Sequence, residues 1–300
     1  MTNLSVTVQD MEDQEYRRSF KDSAGYATLR RFCRNRLTIF GAVIIVILIL
    51  MAIFAPYLSP YSYSTPDPLN AYETPNLTHW FGTDKLGRDI FTRICYGARY
   101  SLSLGVFAEL AGLAVGIVLG CLAGYFGGLV DNLILRFCDV LQAIPSILLT
   151  IIIAQVLGSG YVPTVIALGI TGMPQVVRLL RGQLLSLREE EYIDAAKMVN
   201  SASGRIMFKH LLPNAIAPLI INSSMGIGAK IMTSASLSYL GLGIQEPLPE
   251  WGAMLAAGKE YFRYYPHLVL IPGLFIAITV LAFNLVGDGL RDALDTKQRK

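Results

Sequence analysis

Residues 37–57 read LTIFGAVIIVILILMAIFAPY and hold no charged side chain. A helix needs about 20 consecutive apolar residues to cross the ~30 Å hydrocarbon layer, because lipid offers no partner to a backbone N–H or C=O. This run meets that standard, so the chain reads first as a membrane protein. The run starts too late and is too long for the apolar region of a cleaved leader, and Ala55-Pro56 shows no small-residue cleavage pattern. It is expected to remain as a helix.

Outward from it, the stretches 101–124, 138–157, 161–181, 214–236 and 266–287 approach the same standard. Gly169, Gly172 and Pro174 interrupt the one at 161–181, and Arg178 closes it. The expected fold is therefore an all-α integral membrane protein of six transmembrane helices. Composition agrees: 53% of the residues are hydrophobic, 16% are charged, and the mean hydropathy is +0.48, where soluble chains are roughly a quarter charged. Disordered chains, secreted disulfide scaffolds and soluble enzymes are excluded on this ground. Cys33, Cys95, Cys121 and Cys138 have no CxxC spacing and read as small apolar residues. A net charge of +3 without a basic stripe interleaved with aromatics gives no reason to expect nucleic acid.

Lys and Arg set the orientation. They crowd residues 17–36, 178–209 and 291–300, whereas the opposite side holds Lys85, Arg88, Arg93, Arg99, Lys259 and Arg263. By the positive-inside rule both termini are expected in the cytoplasm. The expected division is a cytoplasmic segment 1–36, a first helix 37–57, an extracytoplasmic loop 58–100, a transmembrane core 101–288 with a cytoplasmic loop 182–213, and a cytoplasmic tail 289–300. Prolines at 60, 66, 68 and 75 make the 58–100 loop irregular until a short amphipathic segment near 90–100. Trp80 and Trp251 fall in outer loops and read as interfacial anchors.

Within the spans, Ala108, Gly112, Gly116, Gly120 and Gly124 recur every four residues and form a small-residue stripe along one helix face. Such a stripe admits close approach of another helix, in this chain or in a partner. Glu109 and Lys230 are charges inside spans, which are functional candidates by default. Two readings stand for them: lining of a translocation path, or pairing and snorkelling within the bundle.

The loop from Arg178 to Asn214, RLLRGQLLSLREEEYIDAAKMVNSASGRIMFKHLLPN, is too polar to cross a membrane and too patterned to be loose. Glu189, Glu190 and Glu191 favour a helix start. Tyr192, Ala195, Ala196 and Val199 follow at helical spacing. Asn200 suits a left-handed end, Ser203 suits a new cap, and Ile206, Met207 and His210 or Leu211 continue an apolar side to Pro213. A helix bearing Ala195 and Ala196 can enter a groove on another protein, with flanking charges orienting it. The competing reading is an amphipathic helix on the inner leaflet, and three consecutive glutamates near an anionic surface argue against it.

No GxxxxGK[ST], HExxH or GxSxG motif occurs, so neither phosphate binding nor hydrolytic chemistry is expected of this chain. A self-sufficient, ion-driven transporter would call for paired mid-membrane acids, matched broken helices or an inverted repeat. None is clear in the sequence.

EYIDAAKMVN (191–200) followed by IMFKHLLPN (206–214) resembles the "EAA" loop of the inner-membrane permeases of ATP-binding-cassette importers. HWFGTDKLGRDIFTRICYGARYSLSLG (79–105), GYFGGLVDN (124–132), LSYLGLGIQEPLPEWGAML (237–255) and LAFNLVGDGLRDALD (281–295) resemble the C-type permease of the oligopeptide, dipeptide and nickel branch. The family's acid before the alanine pair is Asp194 here, and its usual glycine is Asn200. The resemblance implies a type I importer fold with one amino-terminal helix before a five-helix core. It also implies a coupling helix, carried by Glu191, Tyr192, Asp194, Ala195, Ala196, Asn200 and Ser203, that docks on an ATPase. The implied partners are a homologous second permease, two ATPase subunits that hold ATP and Mg, and an external solute-binding protein. The implied setting is the inner membrane of a bacterium or archaeon. The implied cargo is a peptide, with nickel or a metallophore as the alternative.

Overall fold

The computed structural model describes residues 30–294. Helices α1 (Arg36–Leu58), α2 (Ile90–Phe126), α3 (Gly128–Gln142), α4 (Ser146–Leu157), α5 (Tyr161–Leu187), α6 (Glu191–Met198), α7 (Ser203–Tyr239), α8 (Trp251–Gly258) and α9 (His267–Leu294) account for most of it. Among the described residues, β-structure is limited to one isolated bridge, Thr83 to Asp89. α1, α2, α5, α7 and α9 are each long and apolar enough to cross a membrane, and α3 with α4 make a sixth crossing if the bent pair is one span.

The stretch expected as one helix at 138–157 is broken. α3 and α4 meet at 88°, because Pro145 has no N–H to continue the ladder and pushes Ile144 away from helical backbone. With a rise of 1.5 Å per residue, α4 alone reaches only about 18 Å. Helix α2 also departs from expectation, since it begins at Ile90 and absorbs the segment read as part of the loop. Asp89 starts it by accepting from the Thr92 amide (2.7 Å) and hydroxyl (2.6 Å). Gly127, at φ 65°, ends it.

The glycine stripe of α2 lies against α5 within this chain. A Cβ on Gly116 would stand 2.7 Å from Val176 Cβ, and one on Gly124 would stand 2.7 Å from Leu184 Cβ. Gly112 faces the Gly169 carbonyl, and Gly120 faces Leu180. Close backbone approach maximises van der Waals contact, the main attraction between helices where lipid is as apolar as the side chains.

α1 is apolar on all sides and buries only a stripe of Thr38, Gly41, Leu48, Ala52 and Ala55. Gly41 meets the Ala282 carbonyl and Gly289 meets Thr38, which holds α1 to α9. Pro56 removes the N–H that would bond the Ala52 carbonyl. Arg99 of α2 replaces it, donating Nε to Ala52 O and Nη2 to Ile53 O (2.9 Å).

Two apolar clusters mark the ends of the bundle. At the end bearing the 59–89 loop, Leu48, Ile90, Ile94, Trp251, Met254 and Leu268 pack together. Trp251 is fully buried and donates Nε1–H to the Ile94 carbonyl (3.1 Å), so it is a core residue and not an interfacial anchor. Trp80 is exposed. At the opposite end, Cys121, Leu180, Leu184, Ile193, Ile206, Met207 and Leu211 form the second cluster, which carries α6.

Candidate functional site

α6 is an eight-residue helix standing on the second cluster. Ile193 is fully buried there and Ala196, three residues on, is half-buried beside it. This base points the other face outward: Tyr192, Ala195, Met198 and Val199 are exposed, Met198 by 87%. Ala195 and Ala196 therefore do not act alike. Ala195 belongs to the free face, whereas Ala196 packs on the bundle.

The termini of α6 follow from the sequence. Glu190 stands at the N-cap without a side-chain cap, and Glu191 and Asp194 lie in the first turn, where the helix dipole favours negative charge. Lys197 lies in the last turn and pairs with Asp194 at 2.9 Å. Asn200 takes φ 54°, the left-handed region. Ser201 N–H bonds Ala196 O (3.1 Å) and Asn200 N–H bonds Lys197 O (2.9 Å), the two bonds of a Schellman end. Ser203 does not cap α7: Ala202 takes that position, and the Ser203 hydroxyl accepts instead from Tyr125 OH (3.4 Å). Tyr192 OH accepts from Asn214 Nδ2 (3.3 Å), tying α6 to the start of α7. Residues Ile206–Leu211 of α7 are a π-helical turn that buries Ile206, Met207 and Leu211 beneath α6.

Glu109 and Lys230 come together. Lys230 Nζ lies 2.8 Å from Glu109 Oε2, joining α2 to α7, and both side chains are largely buried. The site owes its room to two glycines that the sequence did not connect with these charges. A Cβ on Gly226 would stand 2.8 Å from Glu109 Cδ, and one on Gly172 would stand 3.1 Å from Lys230 Cε.

Residues 116–300 match the family described as binding-protein-dependent transport system inner membrane component, and residues 23–75 match the N-terminal TM domain of oligopeptide transport permease C. The chain belongs to this permease family. The permease is 49% identical to the dipeptide transport system permease protein DppC of Alkalihalophilus pseudofirmus, over 89% of this chain and 88% of that one. It is 46% identical to the oligopeptide transport system permease protein OppC of Bacillus subtilis, over 90% and 88%. The glutathione transport system permease protein GsiD of Pectobacterium atrosepticum is 46% identical over 89% of each. In architecture the permease is similar to the MetNI methionine ABC transporter in inward-facing form, with a TM-score of 0.55 at 18% identity, covering 68% of this chain and 97% of that one. The fold is that of a type I importer permease.

Two groups of residues escaped the sequence reading. In the first, buried Arg88 bonds Asp84 (2.7 Å) and Glu246, Lys85 lies 3.3 Å from Glu246, and buried Arg93 lies 3.5 Å from Glu246. These contacts tie the 59–89 loop to the segment before α8. Burial pushes the Glu246 carboxyl upward, but the hydrogen bond and charge of Arg88, with Lys85 and Arg93, outweigh it and hold the group below its ordinary value. The signal was present as charges of both signs, Asp84, Lys85, Arg88, Asp89 and Arg93, within one short stretch. In the second group, Arg181 pairs with Asp131, and Arg178 pairs with Asp139 at 2.6 Å, fixing α3 along α5. The signal there was two arginines three residues apart at the end of a span.

Proposed function

We propose that this permease is one of two homologous membrane subunits of an ATP-driven importer of peptides, and that α6 is the element through which separate ATPase subunits drive it. ATP and Mg then belong to those subunits, and an external solute-binding protein delivers the cargo to the 59–89 end. Both termini and α6 lie in the cytoplasm in this reading, as the Lys and Arg distribution favours. Relatives named for dipeptide, oligopeptide and glutathione transport support a peptide as cargo.

The observation that carries the coupling role is the division of α6 into an anchored base, Ile193 and Ala196, and a free apolar face around Ala195. Exposed Tyr192, Met198 and Val199 are a poor surface to leave in water, since apolar area returns roughly 25 cal/mol per Å² on burial. Between them Ala195 leaves a shallow place for a knob from a partner, as in helix-in-groove recognition. A rigid base passes displacement on. A partner that contacts this face differently in two states shifts the helices α5 and α7 on which it stands.

The test is Ala195→Arg in the assembled complex. ATP-driven peptide uptake into proteoliposomes should fall at least tenfold and the ATPases should no longer co-purify, while the amount of permease in the membrane stays the same. Unchanged uptake and co-purification, or transport by the permease alone without an ATPase, would overturn the reading.

A further inference from the structure

The Glu109–Lys230 pair lies deep in the bundle. Counting along the helices at 1.5 Å per residue, Glu109 is about 12 Å below Ser101 and Lys230 about 14 Å below Tyr239, so the two charges share one level within the hydrocarbon layer. Charge at that depth is expensive unless it faces a protein partner or water. Part of that requirement is met by the pair itself. Yet among the described residues Lys230 Nζ makes only that hydrogen bond and Glu109 Oε1 makes none. An ammonium has three donors and a carboxylate about four acceptor sites, so each group can take a further partner beside the other.

Glu109 also lines a groove of about 350 Å³ between α2 and α7, walled by Val106, Leu110, Ile220 and Ile227 with Ser223 and Ser224 beside them. That volume is within the ~300–1,000 Å³ typical of small-molecule sites. Helix α7 also carries Asn222, Ser223, Ser224, Thr233 and Ser236 within an otherwise apolar span.

We propose that Glu109 and Lys230 form a charge-exchange station on the translocation path, where the free ends of a peptide replace the pair's own bond. The ammonium end meets Glu109 and the carboxylate end meets Lys230. No covalent step is involved, and each charge keeps a partner throughout. A dipeptide spans about 7 Å when extended, short enough for both ends to engage at once. The walls are mainly aliphatic, with Ser223 and Ser224 as small exceptions, so the station reads peptide ends and tolerates varied sequences. Lys230 and Glu109 already fill the space beside Gly172 and Gly226, so seating a dipeptide requires α2 and α7 to move apart as the bundle changes state. This inference rests on the peptide-importer reading above.

The experiment uses the full complex in proteoliposomes with a free-ended dipeptide. Glu109→Gln and Lys230→Gln should each lower uptake at least tenfold, with complex yield and binding-protein-stimulated ATP hydrolysis at the level of the unaltered protein. The double exchange Glu109→Lys with Lys230→Glu should recover part of the uptake, because a reversed dipeptide meets the same two charges, whereas the charge-free double variant Glu109→Gln with Lys230→Gln should stay at least tenfold down. Normal uptake by the charge-free double variant would reduce the pair to a packing contact, and normal uptake by the single variants would remove the station altogether. A second measurement leaves both charges in place: Ser223→Cys should be shielded from a thiol reagent by the dipeptide during turnover, and unaltered labelling would overturn the proposal. Failure of the unaltered complex to take up dipeptide with ATP would instead count against the importer reading.

Discussion

Asn200 carries the turn on which α6 depends. At φ 54° it occupies a conformation that most side chains resist, and a short polar side chain is the tolerated exception after glycine. Asn200→Val should destabilise this end by about 1–2 kcal/mol, seen as faster amide exchange or proteolysis across 191–201, with uptake reduced. Asn200→Gly should keep both at the original level. Equal protection in the valine variant would show that the left-handed turn does not hold α6 in place. This residue was legible in advance: an asparagine standing where a resembling family has glycine names the conformation directly. Ser203 was not, because a serine next to a helix start fits the cap position and the first-turn position equally well, and only the backbone at Ala202 separates them.

At the scale of elements, the every-fourth-residue glycines of α2 announced a close helix contact, but their partner could not be read from one sequence. The structure supplies it as α5, where the glycine face meets Val176, Leu180 and Leu184. Gly116→Ala would set a methyl 2.7 Å from Val176 Cβ, and overpacking of this kind typically costs about 1–3 kcal/mol. A lower Tm in detergent is expected. Gly182→Ala on α5 is the control, since a Cβ there meets nothing within 4 Å, and it should leave Tm unchanged or raised; identical behaviour of the two would refute the packing account. The length of the apolar runs located the spans well, since hydropathy responds to composition alone. It was blind to the 88° break between α3 and α4, which Pro145 decides and which no apolar count contains.

Over the whole molecule, charge explains where the orientation rule strained. Lys85, Arg88, Arg93 and Arg99 stood on the side that should be poor in cations. Arg88 and Arg93 are buried with Asp84 and Glu246, Lys85 faces Glu246, and Arg99 serves two carbonyls of α1. They are structural cations: Lys85, Arg88 and Arg93 share the two carboxylates, and Arg99 is held by backbone carbonyls. The pairing predicts a pH dependence. Glu246 sits below its ordinary value in the folded protein, so its contribution is present in full above the ordinary carboxylate range, ~4.3, and is lost as pH falls through the lowered folded value. Glu246→Gln should therefore be less stable than the parent at pH 7, and the difference in Tm should shrink as pH drops below about 4. A gap that persists in acid would show that the ion pairs do not join the two loops.

The contact between Arg99 and the carbonyls beside Pro56 also bears on how the protein is made. Synthesis completes α1 more than forty residues before Arg99 is added, so the first helix enters the bilayer with its attachment point unfilled. Its apolar circumference lets it wait there alone. The guanidinium can close the joint only once α2 has been made, so the clasp between the first two helices cannot precede the second of them.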